Sequence, residues 1–364
     1  MTNGYMGKIL WIDLTESKFQ EENVPEELYK QYFGGYGLAA KYIYENTPKC
    51  FDPLGKDALL AFFPGLLTGS IAPLSGRFMV AGKSPLTKTW GDSNCGGYFG
   101  PEIKKCGYDG IIVKGIASTP KYIAIIEGET QILDASEVWG LDAVDTENNL
   151  SEKYKRSRIA CIGQAGEKLS LISGIVTDKG RIAARCGLGA IMGSKKLKAI
   201  VLKGNQKISI ADKDLLIQHT KDYNDRINAT SAGSIYLYKT LGTSGLNAIC
   251  GRTGDSPIKN WAGNTDNDFP IDRLNKIDGI ELNKYKQKEY GCFSCSVQCG
   301  GTMKIPELGI EETHLPEYET CAAFGHLLLN DDLMSIFKLN DMVNRAGIDS
   351  ISTGATIAFA IECF

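Results

Sequence analysis

The sequence predicts an α+β protein in two parts, a β-rich domain over residues 1–210 and a helical domain over residues 211–364. Three observations carry that division. Short apolar runs bounded by Gly, Pro, Asp and Ser fill the first two hundred residues. From about residue 211 the apolar positions recur at helical spacing instead. A length of 364 residues is also what two domains of ~100–200 residues require.

In order, the expected strands are GKILWIDL, ALLAFFPG, RFMVAG, GIIVKG, YIAIIEG, RIACIG and KAIVLKG. The expected helices are ADKDLLIQHTKDYNDRI, ELNKYKQKEYG and DDLMSIFKLNDMVNRAG, the last with Leu333, Ile336, Phe337, Met342 and Val343 at broadly helical spacing. The final stretch, ISTGATIAFAIECF, reads as a helix that stops without Gly, Pro or a polar tail. The second domain is therefore expected to be all-α and C-terminally incomplete. An internal duplication is expected in the first. GPEIKKCGYDGIIVKG (100–115) and GAIMGSKKLKAIVLKG (189–204) share a layout, and each follows a glycine-rich turn, NCGGYFG or RCGLG.

Composition narrows the function classes. A net charge of −3 gives no footprint for nucleic acid or an anionic membrane. No run approaches the ~18 apolar residues of a spanning helix, and the N-terminal residues lack the pattern of a secretory leader. The expected location is the cytoplasm. Of the eleven cysteines, Cys50, Cys95, Cys106, Cys161, Cys186, Cys250, Cys321 and Cys363 are scattered singly, as buried free thiols would be rather than a disulfide scaffold.

The other three sit in GCFSCSVQCGG (291–301), at C-x2-C-x3-C spacing. Thiolates are soft donors for iron–sulfur clusters or zinc. Zinc sites more often pair two C-x2-C units or add histidine, and the nearest histidine is His314, so the spacing favours iron–sulfur; structural free thiols are the remaining reading. Both metals want a fourth ligand, and Cys321 and Cys363 are the downstream candidates.

The two glycine-rich turns offer backbone N–H groups to an anion, and Arg77 in PLSGRF and Arg185 in AARCGLG could add bidentate contacts. Neither is a Walker loop or a dinucleotide fingerprint, and glycine can also serve close packing alone. In HLPEYETCAAFGHLL, Glu317 and Glu319 stand where carboxylates complement a helix dipole, or where one is aimed into a site beside a metal. His326 reads as a core histidine.

Taken together, GKILWIDLT, FGGYGLAAKYIYE, PLSGRFMVAGKSPLT, GDSNCGGYFG, AARCGLGAIMGSKKLKAI, the cysteine triplet, LPEYET and GIDSISTG resemble the aldehyde ferredoxin oxidoreductase family, the tungsten-pterin enzymes of anaerobes. The resemblance implies a β-rich base beneath a tungsten or molybdenum bis-pterin centre. Asn94, Gly96, Arg185 and Cys186 would lie at the pterin and its phosphates, with Mg bridging those phosphates. Arg77 would lie between pterin and cluster. Cys292, Cys295 and Cys299 would hold a [4Fe-4S] cluster whose fourth thiolate lies outside these residues, and Glu319 would be an active-site glutamate.

Asn344, Gly347, Ile348 and Asp349 match one of two D-x-x-G-L-D pterin motifs, with Asn344 in place of aspartate. The implied reaction is oxidation of an aldehyde to its acid, with electrons leaving to ferredoxin. A benzoyl-CoA-reductase-type tungsten subunit is the alternative within the family, and a cofactor-free, non-catalytic fragment the alternative outside it. Relatives are often dimers with a metal on the two-fold axis. Lys338 stands where some carry a glutamate for that metal, so a homodimer is compatible but the axial metal is not expected.

Overall fold

A computed structural model describes residues 3–364 and divides into two compact units. Unit 1 takes the chain up to Tyr223 together with Cys292–Cys295 and Asn344–Ile348; unit 2 takes Asn224–Gly291, Ser296–Val343 and Asp349–Phe364.

Unit 1 is built on two six-stranded sheets. The first contains β1 (Lys8–Asp13), β2 (Lys18–Asn23), β3 (Leu60–Pro64), β4 (Phe78–Lys83), β5 (Trp90–Cys95) and β6 (Gly110–Lys114), in the order β2-β1-β6-β3-β4-β5. The second contains β7 (Lys121–Ile126), β8 (Glu129–Asp134), β9 (Arg158–Cys161), β10 (Ile175–Thr177), β11 (Arg181–Ala183) and β12 (Leu197–Lys203). Read from its β8 end, its order is β8-β7-β12-β9-β10-β11. In each sheet one pair is parallel, β1 with β6 and β7 with β12, and every other pair is antiparallel. Order and sense thus agree strand for strand. A short helix, Phe99–Lys105 in one half and Leu188–Ser194 in the other, precedes the strand that closes each parallel pair.

The apolar runs are explained by burial on both faces, which removes the alternation of a half-exposed strand. One core is shared by the two sheets: Leu10, Phe62, Val80 and Ile111 from the first pack with Ile123, Ile175 and Ile200 from the second, around Phe99, Leu188 and Ile191 of the short helices. On its other face the first sheet is covered by Leu38, Tyr42 and Ile43 of helix Tyr36–Asn46. Ala143 and Leu150 of helix Ala143–Lys153 do the same for the second. The edge strand β2, KFQEEN, is charged and exposed along nearly its whole length, which protects an open edge from pairing with another chain.

Unit 2 corrects the all-α expectation. It carries a three-stranded antiparallel sheet, β13 (Lys286–Tyr290), β14 (Gly300–Ile305) and β15 (Ile310–His314), in that order. The stretch expected to be one helix, ELNKYKQKEYG, is helical only over Gly279–Asn283 before it becomes β13. Its Lys, Gln and Glu residues favour helix locally, but they supply no apolar stripe to hold one. Backbone pairing with β14 decides the outcome instead. The remaining helical readings hold, at Lys213–Ala229, Leu333–Ala346 and Ser350–Cys363.

His326 lies in the core of unit 2, fully buried at the end of a π-helical turn, Ala322–His326, that continues helix Tyr318–Cys321. Its Nδ1 bonds the Ser256 hydroxyl, while Nε2 has no partner among the described residues. Burial lowers its pKa from 6.5 to about 4. The ring is therefore neutral in the fold and protonates first in the unfolded chain, so stability is retained above pH 6.5 and lost as pH falls toward 4. That span is worth about 3 kcal/mol. Urea unfolding of unit 2 at pH 7 and pH 4.5 should show the loss, and His326→Leu should flatten that part of the pH dependence.

Candidate functional site

In unit 1 the named residues gather at the outer strand of the first sheet. Arg77 enters β4 and Asn94 lies in the edge strand β5, where the Arg77 Nε donates to the Asn94 side-chain oxygen. Tyr36, from the FGGYG stretch, adds a phenol hydrogen-bonded to Asn94; burial holds its pKa above the ordinary value, helped by the nearby Asp92 charge. Cys95 points inward, and burial pushes its thiol up to about 12, which makes it a core residue and a poor ligand.

β5 ends in Gly96-Gly97, the turn into helix Phe99–Lys105. A Cβ at Gly96 would lie 2.6 Å from the Cys292 Sγ, 3.3 Å from Nη1 of Arg181 and 3.4 Å from Nη1 of Arg77. A sulfur and two guanidinium groups thus meet over one bare Cα. At Gly97, with φ +100°, a Cβ would fall 2.0 Å from the Asp178 Oδ2.

The Cys292–Cys295 turn is seated on this surface by backbone bonds. Phe293 N–H donates to Gly97 C=O at 3.2 Å, Leu74 N–H to Ser294 C=O at 2.8 Å, and Cys295 N–H to Cys292 C=O at 3.2 Å. The Phe293 ring meets Tyr98 edge-on at 6.2 Å and lies under the Lys105 ammonium at 5.9 Å.

The second glycine-rich turn hangs from the same strand. Arg185 N–H donates to the hydroxyl of Ser93 in β5 at 3.2 Å, and Cys186 C=O accepts from the Ser84 hydroxyl at 2.9 Å. Cys186 and Gly187 both have φ +68°. A Cβ at Gly187 would sit 2.2 Å from Leu171 O, so only glycine fits there. Asn344–Ile348 lies one step further on. Gly347 C=O accepts from Gly174 N–H at 2.9 Å, Ile348 bridges Ser173, and Ser173 C=O accepts at 3.1 Å from Gly189 N–H in the helix that follows the Arg185 turn. The Arg345 guanidinium pairs with Asp142 at 3.0 Å.

Cys299, Glu319 and Asp349 belong to unit 2. Glu319 is exposed in the first turn of helix Tyr318–Cys321. Its neighbour Glu317 is held by the Thr243 hydroxyl, which also accepts from Tyr318 N–H at 3.0 Å. Asp349 caps helix Ser350–Cys363, accepting from Ile351 N–H at 3.1 Å and Ser352 N–H at 3.3 Å. Cys321 is fully buried, its thiol pushed up to about 12 by burial, whereas Cys363 is exposed. Among the described residues no three His, Cys, Asp or Glu side chains converge tightly enough to hold a metal ion by themselves.

Sequence reasoning missed Arg181 and Tyr36, which the structure adds to this surface. For Tyr36 the signal was present in FGGYG, a glycine-flanked aromatic. Arg181 stands four positions before Arg185 with no motif of its own. Bare backbone at two linked turns, guanidinium groups and the cysteines of the Cys292–Cys295 turn fit a phosphate-bearing, thiolate-linked redox group. These are the features of an oxidoreductase.

The chain belongs to the aldehyde ferredoxin oxidoreductase family. The family's N-terminal domain matches residues 9–204, and its domains 2 and 3 match residues 218–364. Over 99% of its length the chain is 36% identical to the tungsten-containing aldehyde ferredoxin oxidoreductase of Pyrococcus furiosus, covering 59% of that protein, with the same figures for the Thermococcus kodakarensis enzyme. It is 28% identical to the WOR-like subunit of an aliphatic sulfonate oxidoreductase from P. furiosus, again covering 59%. Among solved structures it matches the active-site complex BamBC of benzoyl coenzyme A reductase bound to 1,5-dienoyl-CoA, with a TM-score of 0.90 at 25% identity, over 100% of this chain and 56% of that one. The chain thus spans about three fifths of the length of its relatives.

Proposed function

We propose that the chain forms part of a tungsten (or molybdenum) bis-pterin enzyme that oxidises aldehydes to carboxylic acids and passes electrons through a [4Fe-4S] cluster to ferredoxin. The observation that carries this reading is the meeting of Arg77, Arg181 and Cys292 over Gly96, which sets cations suited to a phosphate beside a cluster-type thiol. Asn94, Gly96, Arg185 and Cys186 would hold the pterin and its phosphates, with backbone oxygens near Asn94 and Cys186 for Mg. Asn344, Gly347, Ile348 and Asp349 would form one of the two pterin-binding motifs, and Cys292, Cys295 and Cys299 would hold the cluster.

When bound, such a group supplies two-electron redox chemistry and single-electron exit. The reaction takes its oxygen from water and releases two protons with the two electrons. Glu319, exposed and without a hydrogen bond among the described residues, orients that water and takes its proton. Arg77 and Arg185 neutralise the phosphates and fix the cofactor's register.

The same reading sets the domain boundary near residue 210, supported by family matches that stop at 204 and resume at 218. It takes the halves of the first domain as a duplicated unit, supported by the matched strand order. It places the enzyme in the cytoplasm; among the described residues no helix is long and apolar enough to cross a membrane. A homodimer is compatible with it.

A second reading, reduction of an aromatic acyl-CoA, is favoured by the fold match to the benzoyl coenzyme A reductase complex. Elemental analysis and activity separate the readings. Purified anaerobically, the whole enzyme of which this chain forms part should carry about four irons and one tungsten or molybdenum, and should reduce a viologen with simple aldehydes. Metal without aldehyde oxidation, but with turnover of an aryl-CoA, would favour the second reading. Absence of iron, tungsten and molybdenum would sink both.

A further inference from the structure

We propose that Asp178, steadied by Glu147, is a positioning residue that sets the Gly96–Tyr98 turn and Arg181 at their places around Cys292, and so tunes the charge beside the proposed cluster. The inference rests on the cofactor reading above. It concerns side chains that no motif marks, in the tight connection between β10 and β11.

That connection is held in an uncommon shape. Asp178 has φ +49° and Lys179 φ +62°, two successive non-glycine residues in the left-handed region. Such residues cost energy unless their surroundings hold them there. Lys179 is held by its N–H, which donates to Glu147 Oε2 at 2.7 Å. Glu147 comes from helix Ala143–Lys153 and is itself buried.

Asp178 then faces the glycine-rich turn. Its Oδ2 accepts from Tyr98 N–H at 3.1 Å and touches the bare Cα side of Gly97. Its Oδ1 stands 3.6 Å from the Arg158 guanidinium, which itself lies over the Tyr98 ring at 4.4 Å. The Arg181 charge also acts on it. β11 begins at Arg181, so the height of this connection fixes where the Arg181 guanidinium arrives beside Gly96 and Cys292.

The acids divide the work. Burial pushes Glu147 up to about 8, so it is predominantly neutral at pH 7 and serves as a hydrogen-bonding prop. Asp178 is raised by burial too but faces Arg158 and Arg181, which favour its charged form. Its carboxyl is the acidic partner that geometry sets 3.6 Å from the Arg158 guanidinium and between that cation and the turn beside the cluster loop.

The test is Asp178→Asn, which keeps shape and the acceptor for Tyr98 N–H but deletes the charge. With the holoenzyme purified anaerobically, iron and tungsten content, melting temperature, the cluster's EPR spectrum and its reduction potential are compared with wild type. We expect bound iron to be kept, the potential to move to a more positive value with an altered EPR signal, and kcat/KM to fall ~10- to 100-fold as Arg181 drifts. Arg181→Gln, at the other end of the same connection, should change the same EPR signal, and it keeps the inference testable if Asp178→Asn folds poorly. A potential and EPR signal indistinguishable from wild type in a folded Asp178→Asn enzyme (or in Arg181→Gln where Asp178→Asn does not fold), or a change confined to melting temperature, overturns it and leaves the proposed function standing. A whole wild-type enzyme holding neither iron nor tungsten or molybdenum overturns the two together.

Discussion

A Glu319→Gln enzyme should oxidise aldehydes ~10²–10⁴-fold more slowly than the parent while keeping its metals. The amide preserves size and hydrogen-bonding shape but cannot take a proton from water. The position suits a separation of chemistry from stability, because Glu319 is exposed in the first turn of its helix and no hydrogen bond among the described residues occupies its carboxylate. Losing a charge at a helix N-terminus costs only ~0.3–1 kcal/mol, so the melting temperature should barely move. Glu317 supplies the contrast. Its carboxylate is tied to Thr243, and Glu317→Gln should leave a far larger share of turnover. Steady-state rates normalised to bound metal decide the matter. Near-parental turnover by a fully loaded Glu319→Gln enzyme removes the acid–base role.

Gly96→Ala should abolish or severely reduce cluster and pterin binding, with at least a tenfold loss of iron per chain. One methyl group would stand 2.6 Å from the Cys292 Sγ and within 3.4 Å of two guanidinium nitrogens. The Arg side chains can swing aside, but the backbone of the Cys292 turn is anchored, so the Sγ must turn away from its place or the cysteine loop must lift. Overpacking of this kind typically costs about 1–3 kcal/mol, too little to unfold a core of this extent but enough to move a ligand sulfur. Iron analysis alongside circular dichroism separates the two effects. A folded Gly96→Ala protein with full iron would show that the close approach is not what seats the cluster.

Much of unit 1 was legible because its strands are buried on both faces. Runs such as AFFP and AIVL have no helical stripe and are too short for helices, so their state follows from length and punctuation. The cysteine triplet and the two glycine turns were legible because ligand spacing and bare backbone are local properties. Other features depend on distant partners. β13 is a polar strand made by pairing, and nothing in KQKEY announces it. Lys104 and Lys195 are fully buried, their ammonium groups capped by carbonyls of Gly4 and Leu66, and of Ala58 and Gly115. A charged residue in an ordinary sequence context gives no hint of such a pocket. Arg181 and Asp178 were invisible for the same reason, since their roles arise from a hairpin connection whose shape only the fold supplies.

The composition of unit 1 has a consequence for biosynthesis. A ribosome delivers its two sheets as one uninterrupted stretch, then makes residues 224–291 before the Cys292–Cys295 segment emerges, and Asn344–Ile348 follows later still. Domains tend to fold as they are made, so the platform around Gly96 and Arg185 stands finished while both late segments are missing. The nascent protein therefore passes through an interval in which its two glycine-rich turns are formed and uncovered. On the cofactor reading proposed above, an anionic group would meet those turns uncovered at that stage, and the cysteine turn would come to lie over Gly96 only afterwards.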